Sequence, residues 1–188
     1  MSAKWEVLAR EELLDGSPWI RVYRETVRLE DGRTVVPDFY QVVMPDFVVI
    51  FAVMVDGRVV TIEQYRHAVR AVTIELPAGV IDAGEDAAAA AQRELLEEAG
   101  LQADRWESLG SFVVDPNRGC GRGYIFLALG ARHTSAPDDS GELQRQRVRL
   151  HTPEELRRIW LGGGIANMST SAAIGLGLAR LDQDGIAG

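Results

Sequence analysis

The feature that most constrains the fold of this chain is an unbroken apolar run at Phe47–Val55. A strand that is apolar on both faces is typical of a central position in a sheet. The run meets Asp56-Gly57, a strong turn signal, and the chain then returns through a second strand-like segment, residues 58–65. The run is too short to cross a bilayer as a helix, so we expect no membrane partner.

Further strands and helices surround this hairpin. The first 45 residues contain two strand-like segments on either side of the Asp31-Gly32 turn signal, and they predict a small N-terminal antiparallel β unit over residues 1–45. Residues 46–188 are expected to form the main domain. Its helices are predicted at residues 85–99, from Pro153 onward and at about 167–181, interspersed with antiparallel hairpins. The fold class is therefore α+β, or an αβα sandwich with a mixed sheet.

Composition excludes several kinds of partner. The formal net charge is −8, which disfavours binding to the DNA or RNA backbone but allows a small anionic substrate if cations neutralise the local field. The single cysteine, Cys120, rules out an internal disulfide framework. No apolar stretch of the signal-peptide type follows Met1, so the expected location is the cytoplasm.

Three glutamates suggest a metal site. Glu94, Glu97 and Glu98 share one face of the predicted helix, because residues three and four apart are neighbours there. Hard divalent cations such as Mg²⁺ or Mn²⁺ bind to such clusters of oxygen atoms. Arg93 supplies one compensating positive charge, and Glu85 is expected at the positive end of the helix dipole. Taken alone, the cluster is more typical of a solvated acidic helix face.

The full pattern around these residues is more specific. Gly79 and Glu85 precede Arg93-Glu94-Leu95-Leu96-Glu97-Glu98-Ala99-Gly100-Leu101 at the spacing Gly-x5-Glu-x7-Arg-Glu-apolar-x-Glu-Glu-x-Gly-apolar. This stretch resembles the Nudix box, and the chain therefore resembles the Nudix hydrolase family. The resemblance implies an αβα sandwich and a hydrolase that uses Mg²⁺ or Mn²⁺ to cleave a diphosphate linked to another moiety.

Site residues follow from the same resemblance. It implies that Glu94, Glu97 and Glu98 bind the metal, with Glu98 as the most shared ligand, and that the backbone carbonyl of Ala78 or Gly79 adds a further ligand. It also implies that Arg93 and Glu85 orient these carboxylates. Such supporting contacts matter for metal affinity.

The flanks of the box narrow the substrate. Gln64-Tyr65-Arg66 and Glu75-Leu76-Pro77-Ala78-Gly79 resemble the ADP-ribose and nucleotide-sugar pyrophosphatase branch of the family. The resemblance implies that Arg66 contacts the phosphates or the terminal ribose and that Glu75 contacts the substrate. It also implies a homodimer in which the N-terminal strands are exchanged between subunits. The products from ADP-ribose would be AMP and ribose 5-phosphate.

Other candidate residues have alternatives of comparable weight. Glu142, just before the last strand, is our choice for the catalytic base, against a solvated acidic loop. Trp19 or Tyr23 is predicted to stack on a base, against a packing role in the hairpin. Arg118 and Arg122, in the turn-rich loop at residues 115–122, are candidates to grip an extra phosphate, against simple surface charges.

Two other functions stay open at this point. One is a Nudix hydrolase of different specificity, acting on nucleoside diphosphates such as CDP or on sugars of the GDP-mannose type. The other is a nucleotide-sensing module that kept the fold and lost turnover. The presence of all three box glutamates favours an enzyme.

Overall fold

The structure is a computed structural model that describes residues 4–134 and 146–185. The chain divides into two compact units. One consists of Met1–Asp46 and Phe112–Arg122, and the other of Phe47–Ser111 and Gly123–Gly188. None of the helices in the described ranges is both long and apolar enough to cross a membrane.

The first unit is built on three antiparallel strands. They are β1 (Glu6–Gly16), β2 (Ile20–Arg28) and β3 (Val35–Val43), and β2 pairs with both of the others. The turn between β2 and β3 is fixed by Asp31, whose carboxylate accepts hydrogen bonds from the backbone of Arg33 and from the backbone and hydroxyl of Thr34. The predicted hairpin at Asp31-Gly32 is confirmed, whereas β1 was not predicted.

The second unit holds the other strands and three helices. The strands are β4 (Phe47–Met54), β5 (Val59–Arg66), β6 (Ala71–Glu75), β7 (Ala78–Val80), β8 (Leu101–Gln102), β9 (Arg105–Asp115), β10 (Gly119–His133) and β11 (Arg147–His151). The helices are α1 (Ala87–Ala99), α2 (Pro153–Leu161) and α3 (Met168–Asp184). The β9–β10 hairpin contributes its tip to the first unit. Since β4 pairs in parallel with β10 and antiparallel with β5 and β7, the sheet is mixed, as predicted.

Strand β4 is the centre of the core of the second unit. Val48, Ile50 and Ala52 pack in one hydrophobic cluster with side chains of α1. The alternate residues, including Val49 and Phe51, pack in a second cluster with side chains of α2 and α3. Successive side chains of a strand point to opposite faces, so one strand is buried between two helical layers. The predicted αβα sandwich and the central position of this strand are confirmed.

The helix bounds predicted from the sequence agree closely with those in the structure. Thr152 caps α2 in a reciprocal capping box with Glu155, and Asn167 caps α3. Helix α1 begins two residues later than predicted, because the Asp86 carboxylate accepts the backbone N–H groups of Ala88 and Ala89 and makes Asp86 the N-cap. Glu85 therefore precedes the helix instead of opening it.

The segment expected as a loop at residues 115–122 is largely strand. Strand β9 extends to Asp115 and β10 begins at Gly119, which leaves only a short turn between them. The Asp115 carboxylate accepts the backbone N–H groups of Asn117 and Arg118 and closes this turn. Gly119, Cys120 and Gly121 all have positive φ, so the turn residues that suggested a loop are accommodated at the beginning of a strand.

Candidate active site

Helix α1 and the backbone just before it form the candidate site. Ala90 and Ala91 are fully buried, so the helix lies close to the sheet in its first turns. Gly100 ends the helix in the left-handed conformation with φ 67°. Between these points the helix carries Arg93, Glu94, Glu97 and Glu98, of which Glu94 is buried and Glu97 is exposed. The spacing of the three glutamates on one helical face, inferred from the sequence, is present in α1.

Arg93 is the organising side chain of the site. Its Nε and Nη2 atoms donate to the two carboxylate oxygens of Glu85 at 3.0 and 2.9 Å. Its Nη1 atom donates to Glu94 at 2.6 Å and to Glu97 at 3.1 Å. Nη2 also reaches the carbonyl of Val80 at 3.0 Å. One guanidinium therefore joins three carboxylates to the β7 backbone, in an arrangement that a lysine cannot reproduce.

Two glutamates lie against the β7 backbone. The Ala78 N–H donates to Glu98 Oε2 at 2.8 Å, and Gln146 Nε2 donates to the other oxygen of Glu98 at 3.1 Å. A Cβ atom added to Gly79 would lie 2.0 Å from the carboxylate carbon of Glu94. Glycine is thus required at residue 79 because a carboxylate occupies the space that any side chain would fill.

Burial and pairing shift the ionisation of these groups. Burial raises the pKa of Glu94 above its ordinary value, against the opposing effect of Arg93. The hydrogen bonds from Arg93, with that from the Asp82 backbone, lower the pKa of Glu85. The hydrogen bond to Glu85, above all, raises the pKa of Arg93. The guanidinium thus remains charged at any physiological pH.

The chemistry of the donor set fits a divalent cation. Among residues 4–134 and 146–185, no three Asp, Glu, His or Cys side chains converge closely enough to enclose a metal ion. However, the carboxylates of Glu94 and Glu98 both meet the Ala78–Gly79 backbone, and Glu97 shares Arg93 with Glu94. Oxygen donors of this kind are those preferred by Mg²⁺ and Mn²⁺. The predicted metal ligands are therefore gathered around one short piece of backbone.

Arg66 and Glu75 form a second group in the same unit. Arg66 Nε and Nη2 donate to the two oxygens of Glu75 at 3.0 and 2.6 Å. The Glu75 side chain is only 4% exposed, whereas that of Arg66 is 44% exposed. Burial alone would raise the pKa of Glu75, but the hydrogen bonds from Arg66 and Thr73 and the charge of Arg66 hold it below its ordinary value. Glu75 is thus held mainly inside the protein, while Arg66 extends to the surface.

The remaining predicted residues lie outside the second unit or outside the described residues. Trp19, Arg118 and Arg122 belong to the first unit. Trp19 is 67% exposed, and Arg118 forms an ion pair with Asp115 at 3.0 Å. The backbone N–H of Arg122 donates to Asp46 at 2.8 Å. Their substrate contacts stay predictions, and Glu142, the predicted base, lies outside the described residues.

Two contacts in the structure were not predicted from the sequence. The Tyr23 ring, an alternative candidate for base stacking, lies beneath the Arg10 guanidinium at 3.8 Å from the ring centre, so one of its faces is covered. Gln146 contacts Glu98 without belonging to any recognisable motif. A single glutamine before a strand carries no signal in a sequence, because only the fold brings it to helix α1.

An αβα sandwich that places the carboxylates of one helix against a glycine-containing strand defines the class of protein to which this chain belongs. The sequence model of the Nudix domain matches residues 44–169, about two thirds of the chain. The chain belongs to the Nudix family. The model of the nucleoside diphosphate sugar hydrolase N-terminal domain matches residues 5–46. The expected family is thus confirmed.

Individual relatives agree with this assignment. The chain is 31% identical over 173 residues to a Mycobacterium tuberculosis protein named ADP-ribose pyrophosphatase, covering 90% of this chain and 81% of that protein. It is 29% identical to a Bacillus subtilis protein of the same name, covering 68% and 67%. It is also 30% identical over 111 residues to the methanol dehydrogenase activator of Bacillus methanolicus, covering 59% and 58%.

A solved structure has the same fold. The crystal structure of an ADP compounds hydrolase superimposes with a TM-score of 0.83 at 20% sequence identity, covering 97% of both chains. At this level of identity the likeness establishes the fold alone.

Proposed function

We propose that this Nudix hydrolase cleaves the diphosphate linkage of ADP-ribose or a related nucleoside diphosphate sugar. The products are a nucleoside monophosphate and a sugar phosphate, AMP and ribose 5-phosphate in the case of ADP-ribose. One observation carries the proposal: Arg93 gathers Glu85, Glu94 and Glu97 beside the backbone at which Glu98 is also held. The names of the Mycobacterium and Bacillus relatives support the choice of substrate.

The reaction requires a dense negative charge to be neutralised. Nudix hydrolases generally use divalent metal ions, and for this chain we propose Mg²⁺ or Mn²⁺, bound by Glu94, Glu97, Glu98 and the carbonyl of Ala78. A divalent cation held by these residues would polarise the diphosphate and lower the pKa of a water molecule. Arg93, itself held by Glu85, fixes the position of the Glu94 carboxylate, and Gly79 leaves room for that carboxylate.

The other residues supply orientation and proton transfer. Arg66 meets an anionic part of the substrate with a planar, permanently charged group that suits phosphate oxygens. Glu142 is proposed to remove the proton from the attacking water. Positioning this water in line with the leaving phosphate supplies a large part of the rate enhancement expected of such enzymes.

The first unit suggests a homodimer. Every residue of β1 from Glu6 to Asp15 is exposed, although the strand includes Val7, Leu8, Leu13 and Leu14. Exposed apolar surface of this kind marks interaction sites, and we propose a second copy of this chain as the partner, with exchange of N-terminal strands. Residues 1–45 would then be the dimerising unit and residues 46–188 the hydrolase domain. The free thiol of Cys120 is compatible with the cytoplasm, the location we propose.

Product analysis tests the activity directly. Purified protein is incubated with ADP-ribose and either Mg²⁺ or Mn²⁺, and the products are separated by ion-exchange chromatography. AMP and ribose 5-phosphate are expected, and CDP and GDP-mannose are included as alternative substrates. If the protein turned over only CDP or only GDP-mannose, that compound would replace ADP-ribose as the proposed substrate. Tight nucleotide binding without turnover of any of the three compounds would favour the sensing module.

A variant tests the metal-binding assignment. Glu98→Gln keeps the size of the side chain and removes its charge, so we expect activity to fall by about 100-fold or more, since such groups supply several kcal/mol of charge stabilisation. Glu154→Gln, an exposed glutamate at the start of α2, serves as the matched control and should retain the wild-type rate. A Glu98→Gln enzyme of wild-type activity contradicts the assignment.

A further inference from the structure

A buried threonine lies directly behind the Arg66–Glu75 pair. Thr73 is 5% exposed and lies on β6 opposite Gln64 of β5. Its hydroxyl oxygen is 2.8 Å from Glu75 Oε1 and 3.2 Å from the carbonyl of Gln64. A hydroxyl has a single proton to donate, and a carboxylate is the stronger acceptor, so the shorter contact to Glu75 is the main hydrogen bond.

This hydrogen bond restricts the orientation of the carboxylate. Oε1 of Glu75 accepts from both Thr73 and Arg66 Nε, whereas Oε2 accepts from Arg66 Nη2. Rotation about the last bond of a glutamate side chain is soft, so a second donor on Oε1 further restricts the plane of the carboxylate. Glu75 is itself only 3% exposed, so water is poorly placed to replace that donor.

The orientation of Arg66 depends in turn on this plane. A bidentate pair between arginine and a carboxylate requires the two groups to be coplanar. The half-exposed Arg66 side chain is long, so fixing it in one rotamer costs conformational entropy. A guanidinium that is already oriented binds an anionic ligand at a lower entropic cost than one that must be ordered on binding.

We propose that Thr73 is a positioning residue, whose hydroxyl orients Glu75 and, through it, the Arg66 guanidinium that meets the substrate. The inference rests on the proposed function, because it assumes that Arg66 contacts a nucleoside diphosphate. All the residues involved lie on strands β5 and β6 of the second unit.

Steady-state kinetics with ADP-ribose and Mg²⁺ test the role of the hydroxyl. Thr73→Val removes the hydroxyl at nearly constant volume, and we expect KM to rise about 3- to 10-fold, with kcat changed by less than about 2-fold, the size of effect expected for the loss of one ordinary hydrogen bond. Thr73→Ser keeps the hydroxyl and should restore KM to within about 2-fold of the wild-type value. A purely structural defect would instead reduce the active fraction, lowering kcat at unchanged KM.

The matched control is another buried threonine. Thr61 on β5 is fully buried, and its hydroxyl has no hydrogen-bond partner among the described residues. Thr61→Val makes the same chemical change without removing a hydrogen bond, so its KM should equal that of the wild type. A raised KM in this variant would overturn the inference, because it would attribute the effect to general disturbance of strand β5.

A double variant tests the route through Arg66. If Thr73 acts through this side chain, Thr73→Val should add no further increase in KM to an Arg66→Ala enzyme. Independent, multiplicative increases would overturn the inference, as would a wild-type KM in Thr73→Val or a failure of Thr73→Ser to restore KM. A wild-type protein that turns over none of the nucleotides would instead overturn the proposed function, and with it the substrate role of Arg66.

Discussion

Gly79 shows how a single missing side chain shapes the candidate site. The carboxylate of Glu94 occupies the position at which a Cβ atom of residue 79 would stand. The two residues belong to different elements, β7 and α1. The glycine of the box is therefore explained by the glutamate of the box, since each determines the space available to the other.

Substitution of this glycine should separate activity from stability. In Gly79→Ala the new methyl group displaces the Glu94 carboxylate, which is the flexible end of a side chain, so the fold should persist. We expect activity to fall by about 10- to 100-fold, because a catalytic group misplaced by about 1 Å can cost about 100-fold. Kinetic assays and thermal unfolding of the same preparation measure both effects. Wild-type activity would contradict the close contact.

Glu75 gives the protein a defined response to acid. Its folded-state pKa lies below the ordinary value of 4.5, so its ionised form is favoured by folding. This contribution to stability is present above the unfolded-state pKa and is lost as the pH falls through the folded-state pKa. Glu75→Gln should therefore be less stable than the wild type at neutral pH, and the difference should shrink below about pH 4.5.

Thermal unfolding of both proteins between pH 7 and pH 3 measures this difference. Glu154→Gln again serves as the control, because the side chain of Glu154 is exposed, whereas that of Glu75 is buried. A difference in melting temperature between the wild type and Glu75→Gln that stays constant, or grows, as the pH is lowered would contradict the lowered pKa of Glu75.

At the scale of the elements, helix α3 meets the central strand at a glycine. A Cβ atom on Gly177 would lie 2.3 Å from the ring of Phe51, which is fully buried. Gly175 lies two residues earlier in the same helix. A Cβ atom there would lie 3.1 Å from the ring of Trp160, which is partly buried. The two glycines therefore differ in how much room the neighbouring ring leaves.

This difference predicts unequal effects of two alanine substitutions on stability. Gly177→Ala should lower the free energy of unfolding by about 1–3 kcal/mol, the usual cost of overpacking a core. Gly175→Ala should be nearly neutral, because the better helix propensity of alanine, worth about 0.5–1 kcal/mol, offsets a small shift of Trp160. Denaturant unfolding measures both values. Equal effects in the two variants would contradict the close packing of Phe51.

The elements also show which parts of the structure are readable from sequence. Strand β4, the end of α1 at Ala99 and the start of α2 at Pro153 were predicted because apolar runs and residues at helix ends act locally. Strand β1 was missed because its polar and apolar residues do not alternate regularly and all of its first ten positions are exposed. Its existence depends on pairing with β2, which no local signal records.

The candidate site divides in the same way. The positions of the box glutamates follow from helical spacing, so the sequence predicts their common face. The hydrogen bond from Gln146 to Glu98 and the network behind Arg66 depend on pairings between elements. No spacing rule along the chain identifies such partners, because the fold alone brings them together.

At the scale of the whole molecule, the exposed β1 strand predicts an assembly. We expect sedimentation equilibrium to give twice the mass of the chain. Leu13→Glu places a charge on the apolar surface of this strand and should shift the equilibrium towards monomers. Arg33→Glu, in the exposed turn before β3, introduces the same side chain away from β1 and serves as the control. A monomeric wild-type protein would remove the proposed dimer.

The alternation along β4 has a consequence for how this sequence can change over evolutionary time. Residues that face α1 and residues that face α2 and α3 belong to separate clusters, of which Leu95 and Leu178 are members. A loss of volume in one cluster is compensated by neighbours in that cluster, because the backbone of the sheet separates the two. Each side of the sandwich can therefore drift independently, and the energetic effects of Leu95→Ala and Leu178→Ala should simply add.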